Sequence, residues 1–97
     1  TMVEEIRADM CGGPGTIGTA LIGDYVAYDL AAALQAAGVP VRVVNADKWP
    51  TNVPANRKYA DFDAVIIEGH GHFLMQEAPE ELNAALIEAL ADLETTN

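Results

Sequence analysis

The sequence predicts an α/β chain built on a minimal parallel sheet of two strands with flanking helices, and three observations carry that reading. Val39 to Asn45 is rich in β-branched residues with Arg42 as its one polar interruption, and Ala64 to Ile67 is a short, purely apolar run. Both read as strands. Their near-continuous apolarity suits strands covered on both faces, as in parallel sheets. The intervening Thr51 to Ala60 offers a connecting helix, which completes a right-handed βαβ unit. The third observation is a terminal helical pattern: Leu82, Ala85, Leu86, Ala89, Leu90 and Leu93 form one apolar stripe behind Pro79, Glu80 and Glu81. Proline is tolerated in a first helical turn, and the two glutamates favour the positive end of the helix dipole.

The remaining elements follow in order. Met2, Ile6 and Met10 recur at i, i+4 and i+8, the spacing of one helical face, with Glu4, Glu5 and Asp9 mostly outside it. Cys11 to Gly18 holds four glycines and one proline in eight residues, which predicts a loop. Apolar positions return at helical spacing at Leu21, Ile22, Val26, Leu30 and Leu34, and Gly38 is placed to end that helix. Gly23-Asp24 is a candidate break, with Asp24 capping the second part. Within the connecting helix, Thr51 is the expected N-cap and Pro54 falls in the first turn.

These elements make a single domain over residues 1–97, with a helical segment at 1–38 and a βαβα core at 39–97. A sheet of two strands leaves both edges unpaired, and the helices offer more apolar face than two strands cover. Completion of the sheet by oligomerisation, as a homodimer or larger homo-oligomer, is therefore expected.

Composition narrows the function classes. Ninety-seven residues bury only about 60 to 65 % of the surface of the extended chain, so the core is thin. Five basic against fifteen acidic residues give a formal charge of -10, which repels phosphate backbones and anionic headgroups. Neither nucleic acid nor a membrane surface is an expected partner. No apolar run approaches the roughly 20 residues of a membrane span. With one cysteine, Cys11, and an N-terminus unlike a signal peptide, the expected location is cytoplasmic. No cofactor is expected.

The informative segment runs from Val41-Arg42-Val43-Val44-Asn45-Ala46-Asp47 through Ile67-Glu68-Gly69-His70-Gly71-His72-Phe73-Leu74-Met75 to Glu77-Ala78-Pro79. Over roughly residues 39 to 90 it resembles the C-terminal part of an α/β-hydrolase, a family of esterases and lipases. In that family a loop after the second-last strand bears the acid of the catalytic set. A Gly-x-Gly-His turn follows the last strand, and a helix opens with Glu-x-Pro. The resemblance implies a partial α/β-hydrolase fold, with His72 as the catalytic histidine and Asp47 as the acid. Asn45-Ala46 stands where the family usually has a glycine, a departure that bears on the acid. Residues 3 to 37 resemble the end of the family's cap and the helix leading into the second-last strand.

The pairing has its own chemical reason. An imidazole with a pKa near 6.5 accepts a proton at neutral pH, and a carboxylate bonded to its other nitrogen fixes the tautomer. Both groups lie just past the C-terminal ends of adjacent strands, where open α/β sheets place ligands. The nucleophile is missing from the pattern: the family's Gly-x-Ser-x-Gly elbow is absent and the chain contains no serine. Water, Cys11 or Thr16 would have to take its place. Neither Cys11 nor Thr16 follows an expected strand, so neither is expected on a strained strand-to-helix turn.

Trp49, Phe73, Leu74 and Met75 flank the polar groups and offer an apolar wall for an acyl chain, although core or interface is the commoner use of such residues. Glu68, His70 and His72 alternate as metal ligands on a strand end would, but zinc needs three or four convergent donors. The leading expectation is a small hydrolase of carboxylic esters, with a small-molecule ester as substrate. The competing one is a truncated or split half of a hydrolase, inactive without a partner.

Overall fold

The computed structural model describes residues 1–96 in the order α1 (Met2–Cys11), α2 (Gly15–Ala27), α3 (Leu30–Ala37), β1 (Val41–Ala46), α4 (Val53–Asn56), β2 (Phe62–Ile67), α5 (Leu74–Glu77) and α6 (Pro79–Thr96). It divides into two compact units, Thr1–Leu30 and Ala31–Asn97.

The first unit holds α1 and α2. The Thr1 side chain accepts the Glu4 N–H, the N-cap arrangement that satisfies a free donor of the first turn. Within Cys11 to Gly18 the structure corrects the sequence expectation of a loop: α2 starts at Gly15, directly after Pro14. Only residues 12–14 separate the two helices. Glycine and proline cost least at a helix start, where the first N–H groups have no helical acceptor, and Thr19 Oγ1 ties back to the Gly15 carbonyl at 2.9 Å. Nor does Gly23-Asp24 break the helix. The interruption comes at Tyr28 and Asp29, the latter a residue type favoured immediately before a helix. Ile17, Leu21, Ile22, Tyr25 and Val26 are all exposed.

The second unit carries α3 from Ala31 onward and every later element. β1 and β2 pair in parallel, with Val41 opposite Phe62, Val44 opposite Val65 and Ala46 opposite Ile67. The ladder begins at the bond from Val41 N–H to the Asp61 carbonyl (2.8 Å) and is continued by Asp47 N–H to the Ile67 carbonyl (3.2 Å). Since alternate residues of a parallel strand bond to one side, Arg42, Val44 and Ala46 direct their N–H groups to the open edge of β1. The fold class thus has the expected form, a two-stranded parallel sheet with flanking helices.

One face of this sheet is well covered. Ile67, Leu74 and Ala85 form the core cluster, with Val44, Ala46, Val65 and Leu82 packed around it. Full burial of an Ile or Leu contributes about 1.5–3 kcal/mol, so Ile67 and Leu74 are large contributors to the apolar stabilisation. Coverage of both faces holds only in part. Phe62 is buried at the start of β2, whereas Ile66 near its end is 41 % exposed. The stripe of α6 is also narrower than its sequence pattern: Ala85 and Ala89 are buried, but Leu86 and Leu90 face solvent.

Arg42, the polar interruption of β1, lies on the face that α6 covers. Its side chain is 9 % exposed, pairs with Asp92 of α6 and, at 3.2 Å, with Asp61, and donates to the Val41 and Asp61 carbonyls at 3.0 Å each. The hydrogen bond to Asp92, above all, raises the guanidinium pKa from its ordinary value. Beside it, Arg57 pairs with Asp63 at 3.2 Å and donates to the Phe62 carbonyl at 3.1 Å. The connection α4 is a single turn. Asn52, not Thr51, caps it, accepting the Ala55 N–H at 3.1 Å. Thr51 instead accepts from Asn45 Nδ2 at 2.7 Å. Among the described residues, no single helix is long and apolar enough to cross a membrane.

Candidate functional site at the C-terminal rim of the sheet

β1 and β2 end level, with Ala46 opposite Ile67, so the segments that follow them emerge at the same rim. Asp47 is the first residue beyond β1. Its Oδ1 accepts the backbone N–H of Gly69 at 3.0 Å, which ties the acid-bearing turn to the turn that carries the histidines. Gly69 has φ +80, a left-handed conformation that costs a glycine little and a side-chain-bearing residue much. The chain thereby reverses immediately after β2 and presents His70 to Phe73 above the rim.

Two further carboxylates hold this turn. Gly71 N–H donates to Glu77 Oε2 at 2.9 Å, and His70 Nε2 lies 3.3 Å from Glu81 Oε1 in the first turn of α6. From below, α5 is anchored by Leu74, 5 % exposed, and by Ala78, 6 % exposed, just after its end. Leu74 is therefore a core residue and no part of an open apolar wall. Its neighbour Phe73 is half-buried and meets the His72 ring edge-on, with centroids 5.1 Å apart and planes at 87°.

The residues singled out from the sequence fare differently. Asp47 and His72 both stand at the rim and are both exposed. Among the described residues, Asp47 bonds to the Gly69 N–H and His72 contacts Phe73, with no hydrogen bond between the two side chains. Trp49 and Met75 are 70 % and 59 % exposed, available to an apolar ligand but enclosing nothing on their own. Cys11 ends α1 and is exposed, in the first unit. Thr16 lies in the first turn of α2. Neither occupies a strand-to-helix turn, the geometry that presents a nucleophile in an elbow. His70 turns to Glu81, and among the described residues no three His, Cys, Asp or Glu side chains are grouped so as to hold a metal ion.

Sequence reasoning named Glu77 only as part of the Glu-x-Pro pattern and missed its bond to Gly71. The glycine at 71, followed six residues later by a carboxylate, was the available signal. It could not be read without knowing that residues 74–77 form a helical turn pointing back. Comparison of the chain with family models, with curated proteins and with solved structures gives no match. The case for function therefore rests on the geometry of this rim.

Proposed function

We propose that the chain is a small hydrolase of carboxylic esters in which His72 acts as general base and Asp47 orients it. The observation that carries this reading is the bond from Gly69 N–H to Asp47 Oδ1, which draws the acid loop onto the histidine turn at the ends of two parallel strands. One carboxylate oxygen is used in that bond. The other retains its acceptor capacity for the Nδ1–H of His72, which would leave Nε2 free to take a proton from an attacking water. Water attack requires no elbow, and Cys11 is the alternative nucleophile. The exposed Trp49 and Met75, with Phe73, supply apolar contact for a short acyl group. The substrate class is activated or short-chain esters, and the family it points to is the α/β-hydrolases.

Hydrolysis of a chromogenic acetate ester by wild type and by His72→Ala, His70→Ala and Cys11→Ala tests it. Selective loss in His72→Ala is the expected result, and loss in Cys11→Ala would identify the thiol as nucleophile. Equal loss in the two histidine variants would reduce the activity to that of surface imidazole and refute the reading.

A second reading is favoured by the open edges of the sheet and by the exposed Ile66, Leu86, Ile87 and Leu90 of the second unit. On this reading the chain is a non-catalytic half whose fold and chemistry are completed by self-association or by a partner bringing further strands and a serine. It predicts no His72-dependent turnover by the isolated chain. The first reading also includes assembly, as a homodimer or larger homo-oligomer, and a monomer in sedimentation experiments would remove that part.

A further inference from the structure

The turn between β2 and α5 contains a close approach in which the Glu77 carboxylate occupies the place a side chain at Gly71 would take, and its reason is not backbone conformation. Among the described residues positive φ is confined to Gly38 and Gly69, so Gly71 adopts a conformation open to any residue. What position 71 lacks is space. A Cβ there would lie 2.9 Å from Glu77 Oε2, 3.2 Å from Oε1 and 3.4 Å from the carboxyl carbon. Both oxygens and the carbon to which they are bonded press on the spot, so the whole carboxylate is seated against the Gly71 Cα. The same carboxylate accepts the Gly71 N–H at 2.9 Å.

Glu77 is itself firmly placed. It closes α5, its N–H bonded to the Phe73 carbonyl at 3.0 Å, and the following Ala78 N–H bonds to the Leu74 carbonyl at 2.9 Å. Leu74 and Ala78, both buried, root that turn of helix in the core. The path is continuous from the core through α5 to the Glu77 carboxylate, the Gly71 amide and the next residue along the chain, His72.

We infer that Glu77 is a positioning residue for His72: its carboxylate, lodged against the bare Cα of Gly71 and bonded to that residue's N–H, sets the direction in which the His72 side chain leaves the turn. The catalytic consequence rests on the ester-hydrolase reading, but the mechanical one does not. A glutamine at 77 keeps a carbonyl acceptor of the same reach, whereas an alanine keeps nothing. An alanine at 71 forces the carboxylate to shift off its seat, and it does no additional harm once the carboxylate has been removed.

The test uses the full chain as wild type, Glu77→Ala, Glu77→Gln, Gly71→Ala and the Gly71→Ala/Glu77→Ala double variant. Turnover of the chromogenic acetate ester and the NMR signals of the Gly71 amide and the His72 ring are recorded for each. Glu77→Ala is expected to lower kcat by roughly tenfold with KM held, the order of loss from a small misplacement of a reacting group. Glu77→Gln recovers most of that rate with the midpoint of its pH profile unmoved, because an acceptor and not a charge is required. Gly71→Ala matches Glu77→Ala, and the double variant is no worse than either. In Glu77→Ala the His72 ring signals shift and broaden, and in Glu77→Gln they return. Additive losses in the double variant, a Glu77→Gln as impaired as Glu77→Ala, or His72 ring signals indifferent to Glu77→Ala would each overturn the inference. Should wild type show no His72-dependent turnover, the ester-hydrolase reading fails, and the ring and amide signals still decide the role of Glu77.

Discussion

The two ends of the sheet use charge in opposite ways. At the N-terminal end, Arg42 is nearly buried and meets two carboxylates and two carbonyls, while Arg57 pairs with Asp63 and with the Phe62 carbonyl. Each cation there has several partners. At the C-terminal end, Asp47 and Glu77 each accept one backbone N–H, and the exposed His72 meets the Phe73 ring edge-on. Saturated ion pairs hold a structure and have little capacity left for a ligand. Polar groups with one bond each, raised on a turn that is packed from below, retain capacity for chemistry.

If this contrast is right, the C-terminal rim owes its shape to the packing beneath it, and the largest effect on stability should come from there. Leu74→Ala removes a side chain that is 5 % exposed from the core cluster. Loss of about 3 kcal/mol is expected in urea unfolding, a large share of the roughly 5–15 kcal/mol that holds a domain together. A midpoint that barely moves would mean that the turn is not supported from the core at all.

Next in size is Arg42→Met, which keeps an apolar stem without the guanidinium and leaves Asp61 and Asp92 without the cation they share. The urea midpoint is expected to fall, and added salt to narrow the gap from wild type by screening the ion pairs that only wild type has. Ester turnover per folded molecule should be unchanged. A loss of turnover equal to that in His72→Ala would erase the distinction between the two ends.

Asp47→Asn reverses the pattern. The amide oxygen still accepts the Gly69 N–H, so the urea midpoint should shift little, whereas the His72-dependent rate should drop at least roughly tenfold for want of a carboxylate to orient and stabilise the imidazolium. Unaltered turnover would sink the pairing of Asp47 with His72.

How much of this was legible in the residues follows the same division. The strands and α6 could be read because β-branched runs, Pro79 and the paired Glu80 and Glu81 act locally, through backbone and dipole preferences. The rim itself could be placed from the strand ends, which lie level and lead on to Asp47 and the Gly69 turn. What could not be read depends on distance in sequence. Arg42 finds Asp92 fifty residues away, and Asp47 spends its oxygen on a backbone amide, a partner that no residue type advertises. Asn52 displaced Thr51 as the cap of α4 because Thr51 is used by Asn45. The start of α2 at Gly15 was missed for a different reason: a helix start tolerates the glycines and proline that would break its interior.

The smallest expected effect tests the N-terminal end through acid. The Asp63 carboxyl is held below its ordinary value of 3.8, first by the bond from the Ala64 N–H (2.9 Å) and then by the nearby Arg57, against an opposing effect of desolvation. Because the folded value is the depressed one, the stability it contributes is complete above the unfolded value. It is lost as pH falls through the folded value. Asp63→Asn retains an acceptor for the Ala64 N–H but carries no charge at any pH, so the other carboxylates titrate alike in both proteins and cancel in the comparison. The variant should unfold at slightly lower urea than wild type near neutral pH, by a constant margin down to about pH 5, and the margin should close below the unfolded value. With more than half of the Asp63 side chain open to solvent, that margin is small. A margin that persists at the acid extreme would show that Asp63 stabilises the fold by shape alone, and the claim that charge is committed to structure at this end of the sheet would then rest on Arg42.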